Sequence, residues 1–206
     1  VRQRQEIQEV LRLILTIGHS TRPLDEFVSI LKSNEVTLLV DVRTIPRSRH
    51  NPQFNFDTLP GALAEAGIGY LHLKGLGGLR HGAKDSPNTG WRTPAFRGYA
   101  DYMLTDEFAD HLRRLMEFAG TEHVALMCAE AVPWRCHRSL IADALAVRGV
   151  PVEHIMGPGR RQPHRLTPFA RVDGVRITYP AREDGNPRIG GPEADGTLFG
   201  DEPENQ

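Results

Sequence analysis

Apolar residues along this chain come in short unbroken runs that alternate with stretches where they recur every three or four positions. LILTI at 13–17 is a run that stops at Gly18, and LDEFVSILKSN after it sets Leu24, Phe27, Val28 and Leu31 on one helical stripe. The unit repeats: TLLVDV at 37–42 reads as a buried strand, and DTLPGALAEAG as a helix closed by Gly67. IGYLHL at 68–73 is a third strand candidate, followed by a glycine-rich, basic loop to about Thr93. Loops of that length usually carry function or lack order. From Phe96 to Phe118 the period is helical, with Phe96, Tyr99 and Met103 on its buried face and a break and fresh amino cap at Thr105-Asp106-Glu107. HVALMCA at 123–129 predicts a fourth strand, Cys136 to Val147 a helix ended by Arg148-Gly149, and VPVEHI a fifth strand. Beyond Met156 the pattern is loop-like until VRITY at 175–179, a candidate edge strand.

Alternating strands and helices predict an α/β fold: three layers, a Rossmann-like and mainly parallel sheet of about five strands, with helices on both faces. The 206 residues, 39% of them apolar, suit one domain, expected at 13–179 between a frayed segment at 1–12 and an acidic, Gly/Pro-rich, disordered tail at 180–206. No apolar stretch approaches the roughly eighteen residues of a membrane span, and the first dozen residues lack the apolar core of a secretory signal. Two cysteines, Cys128 and Cys136, are too few for a secreted disulfide framework, which makes the cytoplasm the expected compartment. Net charge is −1, but the tail's seven acids and two arginines leave +4 on the rest, which suits an anionic ligand.

In an open parallel sheet, ligands bind beyond the carboxyl ends of the strands, so the residues that follow each strand carry the functional information. The first strand leads into Gly18-His19-Ser20-Thr21. The second ends at Asp41 and leads through Arg43 to Ser48 and its basic neighbours. The third is followed by Lys74 to His81, including Gly77 and Gly78, and the fourth runs from Cys128 through Glu130 and Arg135 to Cys136-His137-Arg138. Cations, histidines and glycines thus gather at one edge. Cys136, at a helix amino terminus among Arg135, His137 and Arg138, has the surroundings that favour a thiolate. Cys128, closing an apolar strand, also suits a small buried hydrophobe.

Asp41 and Glu130 are candidates for proton transfer or for holding an arginine in place, with orientation favoured for Asp41. His19 is weighed between a site role and ordinary core packing. Ser20, Ser48, Gly77, Gly78 and Arg97 complete the expected binding residues. In position the fourth loop resembles the phosphate cradle of cysteine phosphatases and rhodaneses, but the arginine they place six residues after the cysteine is Trp134 here, and Arg135 comes one late. Cys128, Cys136 and His137, with His19 as a further ligand, are the expected set if zinc or iron is bound.

TIGHSTRPLDEFVSIL, DVRTIPRSRHNPQF, FRGYADYM and MCAEAVPWRCHRSLIADAL, with His164-Arg165-Leu166-Thr167 and Tyr179-Pro180, resemble the uncharacterised family catalogued as domain of unknown function number 488. The resemblance runs from about Thr16 to Tyr179. It implies no established activity, although the Cys-Ala-Glu and Cys-His-Arg motifs suggest an enzyme.

Three readings follow. The first is a thiol- or metal-dependent hydrolase or transferase acting on a small anionic substrate, phosphorylated or nucleotide-like, with Cys136 or Cys128 as nucleophile or ligand. His19 and His137 would move protons, and Arg43, Arg135 and Arg138 would clamp negative charge. The second is a nucleic-acid binding or processing protein that tracks phosphates with loops 43–50 and 74–97. The third is a thiol or metal sensor without turnover.

Overall fold

The structure, a computed structural model, describes residues 13–181. The segments expected to be frayed at 1–12 and disordered from 182 onward lie outside the described residues.

Strands β1 (Ile14–Gly18), β2 (Leu38–Asp41), β3 (Gly69–His72), β4 (Val124–Cys128) and β5 (Val152–Gly157) pair in parallel, and β6 (Arg160–Pro163) adds an antiparallel edge. The order is β3-β2-β4-β1-β5-β6, so β1 and β4 lie side by side at the centre. Helices α1 (Leu24–Ser33), α2 (Leu59–Glu65), α3 (Pro94–Tyr102), α4 (Asp106–Thr121) and α5 (Arg138–Ala146) connect them. The period of two along the strands divides the core into two layers. Leu15, Ile17, Ala125 and Met127 face α1 and α2 and meet Phe27, Ile30, Leu31, Leu59 and Leu63. Ile14, Val40, Leu126 and Cys128 face the other way, against Phe96 and Tyr99 of α3, Phe108 and Leu112 of α4, and Leu140 and Ile141 of α5. The molecule is the three-layer, mainly parallel α/β fold that the alternation predicts.

Local chemistry sets the element ends. The Thr105 hydroxyl accepts the Phe108 N–H and caps α4, where the sequence break falls. Every residue of α5 from Arg138 to Leu145 is buried, so this helix has no solvated face, and its two charged residues, Arg138 and Asp143, need partners inside the protein.

Two expectations need correction. The stretch after Met156 is not all loop: Arg160–Pro163 pairs with β5, but all four of its residues are exposed, so the strand has no apolar alternation to reveal it. The 175–179 strand does not border the main sheet. Arg176–Thr178 (β8) forms a separate hairpin with Arg171–Asp173 (β7), turned by Gly174 at φ 58°. The long loop after β3 is bound rather than loose. A 3-10 turn spans Lys74–Leu76, and Asp101 of α3 accepts hydrogen bonds from Ala83 N, Ser86 Oγ and Asn88 Nδ2. No described helix is long and apolar enough to cross a membrane.

Candidate active site

The connections leaving the sheet at β1 and at β4 run to opposite sides, β1 toward β2 and β4 toward β5, and the candidate residues collect where they diverge. On the α1/α2 side, Asp41 ends β2 fully buried. It accepts Arg43 Nε at 2.9 and 3.1 Å, Arg43 Nη2 at 2.6 Å, the Arg43 backbone N–H at 3.0 Å and the Tyr70 hydroxyl at 2.7 Å. Arg43 Nη2 also donates to Phe54 O at 2.7 Å, and His72 Nε2 donates to Arg43 O at 2.8 Å. A guanidinium gripped along its Nε–Nη2 edge by one carboxylate has its charge met in place.

His19 stacks on Phe54 with ring centroids 4.2 Å apart, and its Nδ1 donates to Ser20 O at 2.8 Å. That tautomer leaves Nε2 to accept Arg43 Nη1 at 3.2 Å. Burial, then the charge of Arg43, lowers the His19 pKa to about 4, so the ring is neutral near pH 7. Ser20 takes φ 51°, a left-handed conformation unusual for a residue with a side chain, as the chain turns out of β1. The turn brings His19 N onto Cys128 O at 3.0 Å and Ser20 N onto Ala129 O at 2.9 Å. Gly18 is required here: a Cβ on it would lie 1.9 Å from Glu130 O.

On the opposite face, Cys128 closes β4 and Cys136 follows a 3-10 turn at Pro133–Arg135; both are free and buried, 3% and 1% exposed. The Cys136 sulfur sits at the amino end of α5, where it accepts the Arg138 backbone N–H at 3.4 Å, and it is buried in the same apolar cluster as the Cys128 thiol. His137 Nδ1 lies 3.6 Å from Cys136 Sγ, while His137 Nε2 donates to Val42 O at 3.0 Å. The ring of Tyr99 lies 5.1 Å from that of His137, and Gly78 passes so close that a Cβ would sit 2.5 Å from His137 Nδ1. Gly77 is held as closely, with its Cβ position 2.5 Å from Thr44 Oγ1.

Arg138 is the largest fully buried side chain among the described residues. Its Nη2 donates to Glu130 O at 2.7 Å and its Nε has no acceptor. Among the described residues no carboxylate lies within ion-pair distance of it. What it faces is sulfur, and the pKa shifts follow from that. Burial opposes ionisation of Cys136, but the Cys128 hydrogen bond, the Arg138 charge and the Arg138 N–H outweigh it and bring the thiol down to about 7. Burial and the hydrogen bond to Cys136 push Cys128 well up, so it stays a thiol. Burial also lowers His137, whose Nδ1 faces the Cys136 sulfur.

Other expected residues have different surroundings. Ser48 shapes its own loop, with its Oγ accepting Asn51 N at 3.1 Å and its N–H bound to Asn55 Oδ1 at 2.6 Å. Arg97 Nη2 donates to Trp91 O at 2.9 Å. Arg135 is half-buried in the 3-10 turn. Among the described residues, no group of three or more His, Cys, Asp or Glu side chains is placed to hold a metal ion. The zinc or iron expected on Cys128, Cys136 and His137 therefore has no such group to hold it, and His19 is no further ligand because both of its nitrogens are engaged. In the basic loops, Arg47 pairs with Asp57 at 3.6 Å, and Arg80 lies 3.6 Å over the Tyr102 ring and 3.9 Å from Glu107, so these cations already have partners.

One buried network escapes the sequence reading. Asp143 of α5 accepts four hydrogen bonds, from His164 Nε2 at 2.9 Å, Thr167 N at 3.0 Å, Thr167 Oγ1 at 2.6 Å and the Tyr179 hydroxyl at 2.8 Å. With His164 donating there, its Nδ1 accepts His154 Nε2 at 3.0 Å, and His154 Nδ1 accepts the Thr16 hydroxyl at 2.7 Å. The chain runs from β1 through β5 to α5. The signal for it was an aspartate on the apolar stripe of a helix, together with the His-Arg-Leu-Thr motif that had no other role.

Fold and site define a parallel α/β protein with a buried thiol and arginine centre at the carboxyl edge of its sheet. The chain belongs to the family described as Domain of unknown function DUF488, whose family model matches residues 23–145. No curated protein and no solved structure matches it.

Proposed function

We propose that this protein is an enzyme that attacks a small anionic substrate with the Cys136 thiolate. The observation that carries this reading is Arg138: a buried guanidinium that forms no ion pair among the described residues and has an N–H lacking an acceptor, set beside two sulfurs. Leaving such a cation unpaired costs several kcal/mol, and a thiolate together with a bound anion offsets that cost. In this mechanism His137 takes the Cys136 proton through Nδ1, and Val42 O keeps its ring in register. Cys128 remains protonated and donates to the thiolate, and Arg138 holds the negative charge of the substrate. Arg43, its own charge met by Asp41, acts with His19 and Tyr70 as the wall that fixes the Cys128-Ala129 backbone. Phosphorylated or nucleotide-like molecules match this charge pattern, and the chemistry is transfer or hydrolysis through a thiol adduct. Both thiols are buried, so admitting substrate requires local opening of the site.

The test compares alkylation of native protein by iodoacetate and iodoacetamide from pH 5 to 9. It is joined to a mass search for adducts and products with phosphomonoesters and nucleoside phosphates. The expected results are modification of Cys136 with an inflection near pH 7, a preference for the anionic reagent about tenfold above that of free cysteine, and turnover lost in Cys136→Ser. A preference for the neutral reagent, with no turnover of any anion, overturns the reading.

A further inference from the structure

We propose that Cys128 is the resolving partner of Cys136, so that oxidation of Cys136 by a hydroperoxide ends in an intramolecular disulfide joining the two ends of the segment between β4 and α5. These are the chain's only cysteines. Both are free and buried in one apolar cluster, one closes β4 and the other opens the approach to α5, and each thiol shifts the ionisation of the other. The inference rests on the ionised Cys136 of the proposed function but not on any turnover.

The chemistry balances with one oxidant. The Cys136 thiolate attacks one peroxide oxygen: an S–O bond forms, the O–O bond breaks, and the departing alkoxide or hydroxide takes a proton from solvent. Cys136 becomes a sulfenic acid, and the peroxide is reduced to an alcohol or water. The Cys128 sulfur then attacks the Cys136 sulfur. The S–S bond forms, the S–O bond breaks, and hydroxide leaves as water with the Cys128 proton. The buried guanidinium of Arg138 is placed beside the sulfurs to stabilise the oxygen that leaves. A peroxide is small enough for thiols that are 3% and 1% exposed, and the second sulfur is buried in the same cluster, which favours disulfide closure over a second oxidation.

The same contacts set the poise of the pair. The N–H of Arg138 and the guanidinium stabilise a thiolate and have nothing comparable to hold in a disulfide. The oxidised form leaves Arg138 with the Glu130 carbonyl alone, so the equilibrium leans toward the reduced form, and an ordinary thiol in excess reopens the bond.

To test this, reduced full-length protein is exposed to hydrogen peroxide, blocked with iodoacetamide and mapped by peptide mass, with dimedone present in a parallel sample. The expected result is one peptide pair linked through Cys128 and Cys136, loss of both alkylation sites, and their return with excess glutathione. In Cys128→Ser, the dimedone adduct accumulates on Cys136. In Cys136→Ser, Cys128 stays unmodified at the same dose. Stable dimedone adducts on the wild-type protein, sulfonic acid without a link, disulfides between molecules, or inert thiols each overturn the proposal. Wild-type behaviour decides it even if a variant folds poorly. Fast reaction with iodoacetate but no disulfide would sink this inference and leave the enzyme reading standing, whereas a disulfide with no turnover of anions does the reverse.

Discussion

His19 and His154 are buried as neutral rings, and acid should therefore unfold this protein by a route that two side chains dominate. Burial, followed by the charge of Arg43, lowers His19 to about 4; burial, followed by His164 and Arg138, lowers His154 to about 3. Both shifts are downward from an ordinary 6.5, so between about pH 6.5 and the folded-state values the unfolded chain binds protons that the native state refuses. Stability falls as pH falls through that window. At about 1.4 kcal/mol per unit, each ring removes roughly 2 kcal/mol between pH 7.5 and pH 5, or about 4 kcal/mol together. For a chain of this size that lowers Tm by roughly 8–16 °C. Urea titrations at a series of pH values, followed by the fluorescence of Trp91 and Trp134, measure it. In His154→Gln, stability at pH 7.5 drops by about 1–3 kcal/mol because Thr16 and His164 lose a partner, yet the fall from pH 7.5 to 5 shrinks by about 2 kcal/mol. A variant whose fall matches the wild type would refute the reasoning, because it would mean that the ring is protonated in the fold or exposed to water.

Gly18→Ala should cost about 1–3 kcal/mol and shift the amide NMR signals of residues 129–131, since its Cβ would meet Glu130 O; unchanged signals there contradict the close approach. Asp143→Ala leaves four donor groups without their acceptor and should lose roughly 3–5 kcal/mol in urea titration; a loss below about 1 kcal/mol means the network is not buried. Arg138→Met removes a buried charge that forms no ion pair among the described residues, so its stability at pH 7.5 should stay within about 1 kcal/mol of wild type. Alkylation of Cys136 at pH 7.5 should meanwhile slow about threefold, as a thiol pKa rises by about one unit from about 7. Rapid alkylation in this variant would assign the thiolate to the helix end alone.

The five parallel strands and the edge at which the candidates gather were legible because buried parallel strands are continuous apolar runs and ligand residues follow them directly. β6 was not, since Arg160-Arg161-Gln162-Pro163 pairs through its backbone and exposes every side chain. The roles of individual cations were also hidden. Arg43 and Arg138 look alike in sequence, each next to a strand end or helix start. The sequence favours an orienting role for Asp41, but only the fold shows that Arg43 is the arginine it holds, while Arg138 forms no ion pair among the described residues. Asp143, His154 and His164 are separated along the chain and meet because β5 and the return from β6 flank α5, a pairing order that periodicity does not encode.

The sheet order has a consequence for how this family is handled in the laboratory. The family match begins at residue 23 and ends at residue 145, but β1 lies between β4 and β5 and supplies the central ladder of the sheet. A fragment cut to that match would keep both thiols and Arg138 while baring the whole hydrogen-bonding edge of β4 and the apolar faces that β1 and β5 cover. Such an edge invites pairing with other copies. The stretch that defines membership by sequence is therefore shorter than the unit that folds, and expression boundaries belong outside β1 and beyond Tyr179, whose hydroxyl still anchors α5.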